Sequence, residues 1–189
     1  MQEIKGTTSL LGVIGHPISH SLSPVIHNAA IQEMGLDWCY LAIPCDPMNL
    51  ELVISGLRSI NFKGLNITIP HKVESLNLCK ELSSIAQQIG SVNTLTPHPE
   101  GGWIGDNTDV EGFLSPLRMN NNWKGKKAMV LGCGGSAKAV VAGLKSLEFE
   151  EINIISRSQD SLNRFFTGFP MTKQILENKS MKINRIVDK

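Results

Sequence analysis

The chain has 189 residues, 41% of them hydrophobic and 19% charged, with a formal net charge of +1. That length allows one large or two small domains, and the composition is ordinary for a globular protein. The balanced charge excludes a field that would gather nucleic acid or an anionic membrane, and no stretch approaches the roughly 20 apolar residues of a membrane span.

Met1–Gly6 lacks the basic start and apolar core of a signal peptide. Cys39, Cys45, Cys79 and Cys133 form no C-x-x-C pair and no zinc spacing. They read as reduced, packing thiols of a cytoplasmic protein, and no metal site is expected. The histidines form no H-E-x-x-H pattern. His16 and His20 read as solvated loop residues, with a place beside a ligand as the alternative.

Leu10–Gly15 is an apolar run closed by glycine and predicts a first strand. The polar loop His16–Pro24 follows. Ser23-Pro24 is a helix-start signal, with serine as the cap and proline in the first turn. Ile26, Ala29, Ala30 and Met34 mark an apolar face, and Gly35 ends the helix. A helix N-terminus with the hydroxyls of Ser21 and Ser23 beside it suits a carboxylate. A plain cap is the bland alternative.

Trp38–Ile43 predicts a second strand, and Asp46-Pro47 opens a helix with Leu50, Val53, Ile54 and Leu57 inward. The third strand begins at Gly64. Leu65, Ile67 and Ile69 fall on one face, Asn66 and Thr68 on the other, and Pro70 ends it. Two short polar groups and the Lys72 ammonium thus meet at a strand's carboxyl end, where open α/β sheets bind ligands. A solvated polar face with a surface lysine would read the same.

Residues 73–88 read as helical, with Val73, Leu76, Ile85 and Ile89 apolar. Gly90–Leu95 reads as another short strand, in which Asn93 can donate and accept. Pro97–Gly102 is a turn cluster, with Trp103–Gly105 as a hairpin partner. Alternating strands and helices argue for a mostly parallel sheet. In Gly105–Asp109 the bland reading is a turn that caps the next helix. The sharper one sets the Asp109 carboxylate beside a ligand or Lys72.

Residues 118–125 are polar and read as a boundary loop. Lys126–Leu131 is a strand, and Gly132-Cys133-Gly134-Gly135-Ser136-Ala137 matches G-x-G-x-x-A and opens a helix to Leu147. Glu151–Ile155 is the next strand. In this context the glycines shape a turn that backbone amides can bring to a pyrophosphate. After that strand stand Ser156, Arg157 and Ser158, where an NAD site would place an acidic residue. Arg157 suits a 2′-phosphate, which favours NADP.

Together these motifs resemble the shikimate dehydrogenase family. The resemblance rests on Gly12–Pro24, Asn66–Lys72, Gly90–Thr94, Gly105–Asp109 and Gly132–Ala137, and runs from about Leu11 to about Ser158. It implies NADPH-dependent reduction of 3-dehydroshikimate to shikimate on the aromatic amino-acid route. Ser21 and Ser23 would hold the substrate carboxylate; Asn66, Thr68 and Asn93 would bind ring hydroxyls; Lys72 and Asp109 would be the catalytic pair. Lys72 would donate a proton or only stabilise charge, and both roles stand.

The implied architecture is α/β. A substrate-binding domain with a mostly parallel sheet spans 1–109, a connecting helix and loop 110–125, and a partial Rossmann-like NADP-binding domain 126–189. Family members run on further, so the activity is expected to be impaired: the adenine and pyrophosphate end of the cofactor site is retained, and the nicotinamide end lacks its floor. Phe165, Phe166, Phe169, Ile175, Leu176, Ile183, Ile186 and Val187 follow without a clear second nucleotide-binding half, though Lys182–Val187 predicts a third strand. A relative that binds shikimate-like carboxylates without turnover is the alternative. Association of two chains as a homodimer is also expected.

Overall fold

The computed structural model describes residues 3–119, 122–167 and 182–187. Phe169, Ile175 and Leu176 lie outside the described residues. The chain forms two compact units. The first comprises residues 1–83 and 92–106, the second 84–91 and 107–189.

In the first unit, β1 (Ser9–Gly15), β2 (Trp38–Pro44) and β3 (Gly64–Ile67) are parallel, with β1 between the other two. The remaining strands are β4 (Glu81–Leu82), β5 (Thr94–Pro97) and β6 (Trp103–Asp106). The six-stranded order is β2-β1-β3-β5-β6-β4, in which β5 runs antiparallel to both neighbours and β4 parallel to β6. The predicted hairpin is the β5–β6 pair, turned by His98–Gly102, where His98 N–H donates to Gly102 C=O at 3.0 Å. The helix α1 (Ser23–Glu33) follows β1. A 3-10 turn (Pro47–Asn49), capped by Asp46, whose carboxylate accepts from Met48 N–H at 3.3 Å, leads into α2 (Leu50–Ser59).

Four local expectations are corrected. Ser23 is not a cap: it is the first residue of α1, and its N–H donates to Ser21 Oγ at 3.3 Å. The apolar face assigned to α1 is also wrong. Ile26 and Met34 are exposed, as are Ala29 and Ala30, and Ile31 is the buried residue. The helix turns a polar contact inward instead. Asn28 Nδ2 donates to Tyr40 C=O at 2.8 Å, and Tyr40 N–H donates to Asn28 Oδ1 at 2.9 Å. That pairs the free backbone groups of an edge strand, which would otherwise invite another chain.

Third, Ile69 leaves the face it was placed on. Leu65 and Ile67 are buried, but Ile69 is 72% exposed, because β3 ends at Ile67 and the Ile69 carbonyl accepts from His16 N–H. Fourth, residues 73–88 are not one helix. A 3-10 turn (Glu74–Leu78) and β4 precede α3 (Ser84–Ile89). The interruption is a tertiary demand: Lys80 and Ser83 donate their N–H groups to Trp103 and Gly105 of β6.

In the second unit, β7 (Lys127–Leu131), β8 (Glu151–Ser156) and β9 (Lys182–Val187) make a parallel three-stranded sheet. The third strand expected at Lys182–Val187 is therefore present. The helices are α3, α4 (Asp109–Leu117), α5 (Gly135–Ser146) and α6 (Gln159–Thr167). Their core joins Ile89, Val110, Leu114, Val141, Ile152, Ile154, Leu162 and Phe165, all buried. Gly143 of α5 lets Phe113 of α4 approach: a Cβ there would lie 2.6 Å from Phe113 Cδ1.

Candidate functional site

The polar residues of the first unit collect along the carboxyl edge of its parallel strands. Because β1 and β3 are parallel neighbours, paired Val13 to Asn66 and Ile14 to Ile67, their ends lie side by side. The loop after β1 carries Ser21 and Ser23. The end of β3 and the turn after it carry Asn66, Thr68 and Lys72. Since β5 is antiparallel to β3, the segment entering β5 returns to the same edge and brings Asn93, whose C=O accepts from Ile67 N–H at 2.8 Å.

These groups are held by hydrogen bonds within the unit. Tyr40 O–H donates to Asn66 Oδ1 at 2.6 Å, which fixes the side-chain amide so that its N–H₂ group turns toward Asn93 and Thr94, at 3.5 Å from each. Tyr40 is 3% exposed and stacks on His27, and burial pushes its phenol up to about 12. Thr94 Oγ1 donates to Asn93 Oδ1 at 2.9 Å. Thr68 N–H donates to Ile14 C=O at 2.9 Å, and Gly15 leaves room for its methyl. Lys72 is half-buried, and its C=O accepts from Val92 N–H at 2.8 Å. His16 and His20 are exposed, in keeping with solvated loop residues.

Asp109 belongs to the second unit, at the first position of α4. Its N–H donates to Asn107 Oδ1 at 2.9 Å, while Asn107 Nδ2 donates to Ser91 C=O at 3.0 Å.

The second unit also contains an open cavity of 860 Å³ at the carboxyl edge of β7 and β8. Gly132, Cys133 and Gly134 form one wall, and Ser156, Arg157 and Ser158 form the other. Gly135, Ser136 and Ala137 stand behind them in the first turn of α5. Gly132 needs glycine, since its φ is +98°. At Gly134 the Cβ position is open space with no atom within 4 Å, so the bare backbone can receive a ligand group. No side chain caps α5, which leaves its first amides directed at the loop. Across the cavity Arg157 is exposed, Ser158 N–H donates to Ser156 Oγ, and Ser161 N–H donates to Ser158 Oγ. A glycine cradle, a helix start without a side-chain cap and a guanidinium fit the pyrophosphate and extra phosphate of a dinucleotide.

Three residues outside the sequence reading support these arrangements. Tyr40 orients Asn66, and Ser161 lines the cavity. Lys138 of α5 is 5% exposed, donates to Gly90 C=O at 3.4 Å, and has its pKa lowered by burial. Tyr40 read only as a strand residue, because its partner is 26 positions away.

Comparisons with known proteins agree with this fold. Residues 13–95 match the family model described as the shikimate dehydrogenase substrate binding domain. The NADP(+) shikimate dehydrogenase of Prochlorococcus marinus is 46% identical over 187 residues, which are 98% of this chain and 65% of that protein. The crystal structure of shikimate dehydrogenase from Aquifex aeolicus superposes with a TM-score of 0.82 at 33% identity, covering 97% of this chain and 64% of that one. The Thermus thermophilus shikimate 5-dehydrogenase in complex with NADP(H) and shikimate gives 0.74 at 34% identity, covering 86% and 61%. This chain therefore spans just under two thirds of the length of the relatives it matches. Over that shared length the chain is similar to the shikimate dehydrogenases, and residues 13–95 match their substrate binding domain.

Proposed function

We propose that this chain carries out the NADP-dependent interconversion of 3-dehydroshikimate and shikimate. The observation that carries the reading is the polar edge of the first unit. Ser21, Ser23, Asn66, Thr68 and Lys72 lie on β3 or on the segments that follow β1 and β3, and Asn93 lies on the segment that enters β5, so together they offer two serine hydroxyls, two amides, a threonine and a lysine. That set matches a small ring bearing one carboxylate and several hydroxyls. Relatives of this sequence are named for this reaction, and one related structure holds NADP(H) and shikimate.

Ser21 and Ser23 grip the carboxylate through their hydroxyls. Asn66, Thr68 and Asn93 hold ring hydroxyls, and the bond from Tyr40 presents the Asn66 amide as a donor. Gly132–Ala137 and Ser156–Ser158 hold the dinucleotide, with Arg157 on the 2′-phosphate. When bound, NADPH supplies the hydride. Lys72 then donates a proton to the developing alkoxide or neutralises it. Asp109 is the second catalytic residue, accepting a hydroxyl hydrogen bond. The assignment treats 1–109 as the substrate domain, 110–125 as the connection and 126–189 as the cofactor domain. We further propose a cytoplasmic setting and a homodimer, the latter read by sedimentation. No helix among the described residues is long and apolar enough to cross a membrane.

The test is oxidation of shikimate with NADP, followed by NADPH absorbance, with Lys72→Ala as control. Turnover that falls by about 10² to 10⁴-fold in the variant supports the reading. An unchanged rate removes Lys72 from the chemistry. Shikimate binding by calorimetry without turnover or NADP binding in the parent chain would favour a carboxylate-binding relative.

A further inference from the structure

The turn that presents Lys72 is anchored by the imidazole beside it. His71 is 1% exposed, so it touches no substrate. Its Nε2 lies 2.8 Å from the Cys45 carbonyl oxygen. A carbonyl only accepts, so this nitrogen carries the ring proton and donates. Cys45, 2% exposed, follows β2 directly, and its own N–H donates to Gly15 C=O at the end of β1. His71 therefore ties the turn after β3 to the ends of β1 and β2. Its backbone is equally occupied. His71 N–H donates to Thr68 C=O at 3.0 Å, and its C=O accepts from Ser75 N–H at 3.0 Å and from Ser75 Oγ at 2.9 Å. Lys72 is the next residue, held on its far side by Val92.

We propose that His71 is a positioning residue whose Nε2–H···O=C bond to Cys45 sets the backbone of Thr68 and Lys72 against the serine loop. This rests on the reading that Lys72 acts on a bound shikimate. A ring of this size could be dismissed as core filling, but filling alone does not need a donor aimed at one carbonyl.

The deciding pair is His71→Gln, which can keep a donor, and His71→Met, which has similar bulk and no donor. Both are made in the full chain. The methionine variant is expected to weaken shikimate binding and lower kcat by about tenfold each, the worth of one well-placed hydrogen bond. Its KM for NADP should stay within about twofold of the parent, and the glutamine variant should recover shikimate affinity and kcat to within about threefold. Amide exchange over residues 68–75, read by mass spectrometry, should quicken in the methionine variant and recover in the glutamine one. Equal losses in both variants, or a loss in neither, overturn the proposal. Should the methionine variant not fold, glutamine alone decides: near-parental affinity supports the proposal, and a tenfold loss at unchanged melting temperature overturns it. If the parent neither binds shikimate nor turns over, the functional reading fails by itself. Equal exchange rates over 68–75 in all three chains would then overturn the anchoring role.

Discussion

The two units build their candidate sites in opposite ways. In the first, side chains fix other side chains and backbone: Tyr40 holds Asn66, Thr94 holds Asn93, and His71 holds the turn of Lys72. In the second, the cavity is made mainly of backbone, with Gly132 and Gly134 before the uncapped start of α5 and a few side chains from the end of β8. The proposed substrate, a small ring with hydroxyls at set angles, would need donors at set angles, and locked side chains would supply them. A pyrophosphate is met well by amides and a helix end, so glycine conformational freedom matters more there.

If that contrast is right, substitutions should separate the two binding events. The largest effect is expected at Gly15. A Cβ there would lie 2.5 Å from Thr68 Cγ2 and 2.8 Å from Ile18 Cδ1. Gly15→Ala should cost about 1–3 kcal/mol in urea unfolding and weaken shikimate in calorimetry while NADP binding holds. Gly132→Ala should do the reverse. With φ at +98°, a side chain there is strained by about 1–2 kcal/mol. NADP affinity should drop while shikimate affinity holds. Equal losses of both ligands in either variant would break the contrast.

The smallest effect appears only in alkali. Tyr40 keeps its proton to about 12 because it is buried, whereas the unfolded phenol releases it near 10. Its share of stability is full below pH 10 and lost as pH rises from 10 to about 12. Lys138 runs the other way. Burial lowers its pKa below the ordinary 10.5, so the cost of its buried charge is full at low pH and relieved as pH rises toward 10.5. Unfolding followed by Trp38 and Trp103 in the first unit, and by Trp123 in the second, should show opposite pH slopes. Tyr40→Phe should flatten the first slope and Lys138→Met the second. Slopes of one sign in both units would count against these two residues as the source.

What could be read from the sequence was local. The alternation through Leu65 and Ile67, the glycine at Gly132 and the serine–proline start at Ser23 are short-range signals, and each marks a real strand, turn or helix boundary. Misreadings arose where a distant partner overrode the local pattern. The apolar spacing through Ile26 and Met34 was real, but Asn28 decided which way α1 faces by bonding a strand twelve residues on. The helical pattern after Lys72 gave way because Lys80 and Ser83 bond to β6. Within the candidate site, the motif residues were visible, while Tyr40, His71 and Lys138 were not. Each is defined by a carbonyl or amide far along the chain, and none sits in a pattern of its own.

The division between the units is not a single point along the chain. The first unit is interrupted at Ser83 and resumes at Val92, with α3 lent to the other core, where Ala86 and Ile89 are 0% exposed. The polypeptide thus changes unit at three places, 83/84, 91/92 and 106/107. Recombination with one crossover between the halves, such as a gene fusion joined near residue 109, would carry α3 off with the wrong partner. It would leave Ile85 and Ile89 bare on one fragment and an unfilled hollow in the other. Exchange of one unit for a homologous one must therefore transfer two separated segments together, so inheritance of either unit as an independent module is disfavoured by how the chain is threaded.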